Sequence, residues 1–199
     1  MNKLTIDRNK LEIIDDKKRS FTDMVFIFVI CAMIGWLVEV SFVYVAVGRF
    51  TNRGMLYGPF CSIYGFGAII LYILFYNLRA KVINIPYAFV TSAVFMGAFE
   101  LLSGLMFKYI FNIEMWNYDG MFLEIFNYTT VPILIGWGIL GTCYIFFLQP
   151  FLLKIIELFP KRLVKRVALF IAVGYFLNFA FSVFNIYVNP EILYKLVNP

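Results

Sequence analysis

Residues 24–47, with the sequence MVFIFVICAMIGWLVEVSFVYVAV, form an apolar run of 24 residues that is interrupted by one charged residue, Glu39. A helix of about 20 apolar residues crosses a hydrocarbon core of about 30 Å. The run is too long for the apolar core of a signal peptide, and acidic residues precede it, so we expect no cleavage. This stretch therefore predicts a transmembrane helix.

Four further apolar runs of similar length follow along the chain, at residues 57–76, 85–107, 131–148 and 167–188. Of the 199 residues, 62% are hydrophobic and 15% are charged, whereas about a quarter are charged in soluble domains. A membrane β-barrel would instead need many alternating segments of about ten residues. The predicted fold is an all-α integral membrane protein, a bundle of five transmembrane helices in the lipid bilayer of the cell membrane.

The basic residues are unevenly distributed between the connections. Thirteen of the 17 Lys and Arg lie in the N-terminal tail and in the second and fourth connections, and four lie in the remaining segments. Under the positive-inside rule, this places the N-terminus in the cytoplasm and the C-terminus outside. The predicted organisation is a cytoplasmic tail at residues 1–22, a single transmembrane domain at residues 23–190 and a C-terminal tail at residues 191–199.

The composition also excludes several kinds of site. The chain has no histidine, and its three cysteines, Cys31, Cys61 and Cys143, form no CxxC pair, so we predict neither a metal site nor a disulfide framework. The net charge of +5 belongs to the connections between apolar runs, and we therefore expect no nucleic-acid partner. No P-loop, kinase signature or Rossmann fingerprint occurs, and we expect no cofactor.

Two carboxylates, Glu39 and Glu100, lie inside apolar runs, where a charge costs about 2.5–3.5 kcal/mol on insertion scales. Each lies on a stripe of small residues at helical spacing, and such stripes face neighbouring helices. Both are therefore predicted to point into the bundle, at a similar depth in the outer half of the membrane. Two interpretations are open: a hydrogen bond or salt bridge that holds the helices together, or a site for a proton, a cation or a polar headgroup.

The two halves that carry these carboxylates have related patterns. Each reads as a glycine before the glutamate, a polar turn, a proline (Pro59 or Pro132) and then a Gly-x-Gly. One interpretation is a parallel internal repeat of two helices, and the alternative is two unrelated halves, because the spacings differ. The Gly-x-Gly residues are Gly65, Gly67, Gly136 and Gly138.

The connection between the first two helices, residues 49–67, has the sequence RFTNRGMLYGPFCSIYGFG. Gly54 and the Gly58-Pro59 pair predict a tight turn. The connection is either such a turn with a packing face, or a cluster that grips an anionic or polar group. The candidate polar residues here and near the two carboxylates are Trp36, Asn52, Arg53, Tyr57, Tyr64 and Trp116.

The segments IGWLVE at residues 34–39 and NRGMLYGPFCSIYGFG at residues 52–67 resemble the signature of a bacterial family, the type IV ABC-transporter permeases or CmpB-like proteins. Eukaryotic proteins similar to that family form the transmembrane protein 229 group. The resemblance covers residues 25–150 and leaves out the fifth helix. Weaker similarities are FELLSG at residues 99–104, WNY at residues 116–118 and GWGILG at residues 136–141.

The resemblance implies a multi-pass membrane protein of the permease type. The chain departs from the family pattern at Ser62, where a proline is usual, and at Asn117 and Lys108, where acidic residues are frequent. The last two departures remove negative charge from the predicted outer site. The residues that the family pattern marks are Trp36, Glu39, Asn52, Arg53, Gly54, Gly58, Pro59, Cys61, Tyr64, Gly65 and Glu100.

We therefore predict a membrane transport component that binds or passes a small polar or amphipathic solute through a polar site in the outer half of the membrane. Because no motif for ATP hydrolysis occurs, it would act with a separate ATPase or another membrane subunit, or as a homo-oligomer. One alternative is an accessory or sensor protein without turnover. The other is an intramembrane enzyme acting on a lipid, with Glu39 and Glu100 as acid and base and Arg53 and Tyr64 as orienting residues.

Overall fold

A computed structural model of the chain describes residues 20–77 and 84–189. The described residues form five helical segments and one short β-hairpin. One of these segments is continuous from α4 through a π-helical turn, Tyr144–Leu148, into α5. The elements in chain order are α1 (Phe21–Val47), α2 (Ser62–Asn77), α3 (Ile85–Phe111), β1 (Glu124–Ile125), β2 (Thr129–Thr130), α4 (Val131–Cys143), α5 (Gln149–Glu157) and α6 (Lys161–Val188).

Four of the described helical segments are long and apolar enough to cross a membrane: Phe21–Val45, Ile85–Ile110, Val131–Glu157 and Lys161–Val188. The fifth, α2, is apolar but has 16 residues, so it extends over roughly 24 Å. Large apolar side chains are exposed along the long helices, as expected of surfaces that contact lipid rather than water. The chain is an all-α, multi-pass protein of the cell membrane, which confirms the predicted class.

Three helix ends differ from the predicted ranges by about five residues or more. α2 begins at Ser62 rather than at residue 57, because Gly58 adopts a left-handed conformation with φ 94° just before Pro59. The fourth helical segment continues to Glu157 rather than to residue 148, through a π-helical turn. α6 begins at Lys161 rather than at residue 167, since a basic segment forms its first turns directly after a proline.

Hydrogen bonds at the first turn fix where α1 and α3 begin. Ser20 and Asp23 form a capping box, in which the side chain of each residue accepts a hydrogen bond from the backbone N–H of the other. Asn84 caps α3 by accepting a hydrogen bond of 2.8 Å from the Tyr87 N–H. α1 therefore starts three residues before its predicted range, while α3 starts at the predicted residue.

The described chain divides into two compact units, each named here for the carboxylate that it contains. The Glu39 unit comprises residues 20–69 and 152–189, with α1, the α1–α2 connection, the start of α2 and α6. The Glu100 unit comprises residues 70–77 and 84–151, with the end of α2, α3, the β-hairpin and α4. The single transmembrane domain inferred from the sequence stays a prediction.

The predicted orientation also stays a prediction, because nine of the 17 Lys and Arg on which it depends lie outside the described residues. These include Arg79 and Lys81 of the second connection. Most of the predicted cytoplasmic tail at residues 1–22 and all of the predicted C-terminal tail at residues 191–199 also lie outside the described part of the chain.

Glycine contacts set the close packing of helices within each unit. In the Glu39 unit, a Cβ added to Gly65 of α2 would lie 2.7 Å from the Phe28 carbonyl oxygen of α1. In the Glu100 unit, a Cβ at Gly138 of α4 would lie 2.6 Å from the ring of Phe89 in α3. In contrast, nothing lies within 4 Å of the position that a Cβ would take at Gly136. Small residues at such crossings allow two membrane helices to approach closely.

The close approach at Gly65 predicts that Gly65→Ala destabilises the protein by about 1–3 kcal/mol, because the added methyl group meets a backbone atom that no rotamer change can move. The measurement is the thermal unfolding midpoint in detergent. Gly174→Ala is the matched control, since nothing lies within 4 Å of a Cβ there and alanine favours the helix. Equal midpoints for wild type and Gly65→Ala would show that α1 and α2 do not pack in this way.

Candidate functional site

The first candidate carboxylate, Glu39 of α1, has a side chain that is 29% exposed. Its Oε1 accepts a hydrogen bond of 2.8 Å from the hydroxyl of Tyr64 in α2. Its Oε2 lies 3.8 Å from Nε of Arg53, which belongs to the α1–α2 connection. These three side chains form a half-buried polar cluster that we call the Glu39 site.

A glycine one turn away allows Tyr64 to reach Glu39. Gly35 precedes Glu39 by four residues and therefore lies on the same face of α1. A Cβ at Gly35 would overlap the ring of Tyr64. The tyrosine ring thus lies directly on the α1 backbone, which brings its hydroxyl group level with the carboxylate.

Several contacts fix the part of the connection that carries Arg53. The indole N–H of Trp36 donates a hydrogen bond of 2.7 Å to Oδ1 of Asn52. Thr51 and Leu56, on either side of this segment, are 3% and 1% exposed. Arg53 therefore extends from an anchored backbone, although its own side chain is loosely held.

Two glycines give the connection its shape. Gly54 and Gly58 have φ angles of 99° and 94°, in the left-handed region that favours glycine. A Cβ at Gly54 would also lie 2.5 Å from the carbonyl oxygen of Phe60. Pro59 follows the second glycine and precedes the first turn of α2. Gly67, in the second turn of α2, is buried.

The side chain of Asn178 in α6 binds the backbone of the connection at Tyr57. Its Oδ1 accepts a hydrogen bond of 3.2 Å from the Tyr57 N–H, and its Nδ2 donates one of 2.6 Å to the Tyr57 carbonyl oxygen. The Ser182 hydroxyl donates to the same Oδ1 at 3.2 Å. Nearby, the hydroxyl groups of Ser62 and Tyr175 are 2.6 Å apart. We call this set of contacts the Asn178 clasp.

The Asn178 clasp is not predicted from the sequence, because the fifth helix has the pattern of an apolar span without a motif. A signal is nevertheless present. Tyr175, Asn178, Ser182 and Asn185 recur at spacings of three and four residues in an otherwise apolar helix. Polar side chains in membrane helices usually face protein or water, so this stripe indicates a polar partner for α6.

The second candidate carboxylate, Glu100 of α3, is 5% exposed and receives three hydrogen bonds. Its Oε2 accepts from the Thr129 hydroxyl at 2.8 Å and from the Trp137 indole N–H at 3.1 Å. Its Oε1 accepts from the Tyr118 hydroxyl at 3.3 Å. The donors come from the α3–α4 connection and from α4. The hydrogen bonds of Glu100 are therefore supplied by the same pair of helices and the connection between them.

The short β-hairpin brings Thr129 to Glu100. Ile125 pairs with Thr129 in the antiparallel register, so three residues connect the two strands. The first two, Phe126 and Asn127, are the central residues of the turn and have φ angles of 51° and 63°. Positive φ at both central positions is typical of the tightest hairpin turns. The indole N–H of Trp116, a predicted site residue, donates a hydrogen bond of 3.0 Å to the Tyr128 carbonyl oxygen and so fixes this hairpin.

An ion pair links the last turn of α3 to the same connection. Nζ of Lys108 lies 3.1 Å from Oε1 of Glu114, and the Tyr128 hydroxyl donates to the same oxygen at 3.1 Å. The hydrogen bond from Lys108 is the main cause that lowers the pKa of Glu114 below its ordinary value. Lys108, which stands where the resembled family often has an acidic residue, therefore has an acidic partner in the connection that follows its helix.

The predicted site residues divide between the two units. The Glu39 unit contains Glu39, Trp36, Asn52, Arg53, Tyr57 and Tyr64, together with Gly54, Gly58, Pro59, Gly65 and Gly67. The Glu100 unit contains Glu100, Trp116, Gly136 and Gly138. The expectation that the two carboxylates meet in one layer stays a prediction.

The sequence model of one protein family matches residues 26–183 of the chain, and the description of that family is "Putative ABC-transporter type IV". The match includes most of α6, with Asn178 and Ser182, which the motif resemblance left out. No curated protein and no solved structure matches the chain.

The Asn178 clasp predicts that Asn178→Ala releases the connection, because both of its hydrogen bonds to the Tyr57 backbone are lost. Amide hydrogen exchange in peptides covering residues 50–61 should become at least ~10-fold faster, since losing hydrogen-bond partners costs about 1–3 kcal/mol. Asn185→Ala is the control, because Asn185 binds only a carbonyl oxygen of its own helix in the described chain. Unchanged exchange in Asn178→Ala would contradict the clasp.

Proposed function

The chain belongs to the family described as "Putative ABC-transporter type IV", and on that premise we propose that it is a membrane transport component that binds a small polar or amphipathic solute at the Glu39 site. Its membrane character supports this role, because four of its described helices can cross a bilayer. The solute would contact the side chains of Glu39, Arg53 and Tyr64.

The incomplete pairing of Arg53 is the observation that supports this proposal most. The separation of 3.8 Å between its Nε and the Glu39 Oε2 is longer than a hydrogen bond of about 2.7–3.2 Å. Within the described part of the chain, the Arg53 guanidinium makes no hydrogen bond. A guanidinium has five N–H donors in a fixed planar arrangement that fits oxygen-bearing groups. An ion pair that only held helices together would be expected to use more of those donors, because unsatisfied polar groups are costly in lipid.

Exposure supports the same assignment. The side chains of Glu39 and Arg53 are 29% and 25% exposed, so a small molecule has access to both. The backbone of the α1–α2 connection, which carries Arg53, is anchored by Trp36 and by the Asn178 clasp. An anchored backbone with a loosely held charged side chain is suited to binding, since little ordering of the backbone is needed when the solute arrives.

Transport by this chain would depend on other subunits. The sequence has no Walker A motif, so we propose that a separate ATPase subunit supplies the energy. Association with another membrane subunit, or with a second copy of the chain, belongs to the same proposal because four or five spanning helices form a small permease.

A second candidate is an accessory or sensor protein without turnover, and Glu100 favours it. This carboxylate is 5% exposed and accepts hydrogen bonds from three side chains of its own hairpin. Such a group specifies how helices pack and needs no ligand. The accessory function would apply if Glu39 behaved in the same way.

Arg53→Gln tests the proposed function, because it removes the charge and most donors while keeping a polar side chain. We expect native mass spectrometry of the purified wild type to show a bound small molecule or lipid whose occupancy falls at least ~10-fold in Arg53→Gln, since a charge-assisted pair contributes about 1.5–3 kcal/mol. The control is Arg49→Gln, an exposed arginine of the same connection. Equal occupancy in wild type and Arg53→Gln, with both proteins folded, would contradict solute binding at this site.

A further inference from the structure

The chain contains two helix hairpins, a first one formed by α1 and α2 and a second one formed by α3 and α4. Equivalent residues occupy equivalent positions in the two hairpins, although the sequences alone do not show this. In α1, Phe28 precedes Glu39 by eleven residues, and in α3, Phe89 precedes Glu100 by the same number. Between the phenylalanine and the glutamate, no position that is buried in one helix is exposed at the equivalent position of the other. The first helix of each hairpin therefore presents its carboxylate in the same way.

The second helices correspond as well. Tyr64 of α2 and Trp137 of α4 each donate a hydrogen bond to the carboxylate of their own hairpin. Each is followed directly by a glycine, Gly65 or Gly138, on which the phenylalanine of the first helix packs. Pro59 and Pro132 each lie five residues before the donor. The repeat thus equates Gly65 with Gly138, and not with Gly136 as the Gly-x-Gly pattern indicated.

The connections correspond near their ends and differ in length. Gly54 and Asn127 lie ten residues before the donors, and both have positive φ angles, 99° and 63°. Glutamate and donor are separated by 25 residues in the first hairpin and by 37 in the second. The twelve additional residues of the second connection include Tyr118, which binds Glu100.

One pair of equivalent positions decides how the two carboxylates are satisfied. Eight residues before the donor, the second hairpin has Thr129, which donates to Oε2 of Glu100, and the first has Leu56, which cannot donate. Both side chains are buried, at 2% and 1% exposure. The second hairpin is therefore a closed copy of this arrangement, in which the side chains of Tyr118, Thr129 and Trp137 all donate to the carboxylate.

The first hairpin is the open copy. Oε2 of Glu39 has no hydrogen-bond donor within the described residues, and its nearest cation is Nε of Arg53 at 3.8 Å. The open copy thus combines a carboxylate oxygen that can accept a hydrogen bond with a guanidinium that can donate several. Both groups are partly exposed and adjacent, and their charges cancel.

We propose that the Glu39 site recognises a zwitterionic group, with an oxyanion bound by Arg53 and an ammonium N–H donated to Oε2 of Glu39; this rests on the function proposed above. A zwitterion satisfies both partners and leaves the net charge of the half-buried site at zero. An anion alone would leave Oε2 of Glu39 without a donor, and a cation alone would compete with Arg53 for that oxygen. The chemistry is that of an ethanolamine phosphate headgroup or an amino acid.

The test uses the full chain in nanodiscs of phosphatidylcholine and phosphatidylglycerol, with binding measured by isothermal titration calorimetry. Two probes are zwitterions with N–H donors, glycerophosphoethanolamine and glycine. Two are matched controls: glycerophosphocholine, whose ammonium has no N–H, and glycerol phosphate, which has no ammonium. We expect at least one zwitterion with N–H donors to bind with a Kd at least ~10-fold lower than that of either control. A tenfold difference in Kd corresponds to about 1.4 kcal/mol of binding free energy.

The variants assign the two contacts. Arg53→Gln and Glu39→Gln should each weaken zwitterion binding at least ~10-fold, whereas Arg49→Gln should leave it unchanged. Failure of both zwitterions to bind the wild type, equal binding of glycerophosphocholine, or full binding by Glu39→Gln would each overturn the proposal. If glycerol phosphate binds through Arg53 and without Glu39, zwitterion recognition is wrong while solute binding stands. If Arg53→Gln also retains its ligand in native mass spectrometry, both proposals are wrong.

A further arm separates a lipid from a free solute. Phosphatidylethanolamine added to the nanodiscs would compete with glycerophosphoethanolamine if the natural ligand is a membrane lipid. Unchanged binding in those nanodiscs would identify a water-soluble zwitterion as the ligand. Either result supports recognition of a zwitterion, because both ligands carry the same two groups.

Discussion

A carboxylate inside an apolar helix has to find hydrogen-bond donors, and this requirement organises each hairpin of the protein. Placing a charge in the middle of a membrane helix costs about 2.5–3.5 kcal/mol. Glu100 meets that cost with three donors from its own connection and second helix. Close helix packing makes this possible, because the glycine after Trp137 lets α4 lie against Phe89 of α3. The loop, the helix contact and the carboxylate therefore form one interdependent arrangement.

The first hairpin uses the same arrangement but completes it differently. Leu56 occupies the position that the donor Thr129 has in the second hairpin. Within the described part of the chain, Oε2 of Glu39 therefore lies near the Arg53 guanidinium, at 3.8 Å, instead of accepting a hydrogen bond. The backbone nevertheless remains fixed, because Asn178 of α6 pairs with both polar groups of Tyr57. Within this site, Oε2 of Glu39 and the Arg53 guanidinium are consequently the groups that make no hydrogen bond to other described residues. This combination of a fixed frame and an incompletely paired charge agrees with a binding role in a family of the ABC-transporter type.

The sequence was sufficient to predict the membrane class, because an apolar run has large energetic consequences. It also singled out both glutamates as charges inside apolar helices, and their role as a site stays a prediction. The Asn178 clasp was not predicted, since it depends on contacts between residues 121 positions apart in the chain. The difference between Leu56 and Thr129 was also inaccessible, because the repeat becomes visible only when the contacts of Gly65 are known. The predicted start of α2 was early because apolar composition does not reveal where a left-handed glycine interrupts the backbone.

Glu100 is held by hydrogen bonds of its own hairpin, whereas Glu39 is incompletely satisfied, and the two should therefore differ in their effect on stability. The most direct measurement compares the free energies of unfolding of Glu100→Gln and Glu39→Gln in the same detergent. Glu100→Gln should lose at least about 2 kcal/mol, because its amide group would face donors that need an acceptor. Glu39→Gln should change by less than about 1 kcal/mol, as expected for a partly exposed pair. A loss in Glu39→Gln as large as that in Glu100→Gln would contradict the account.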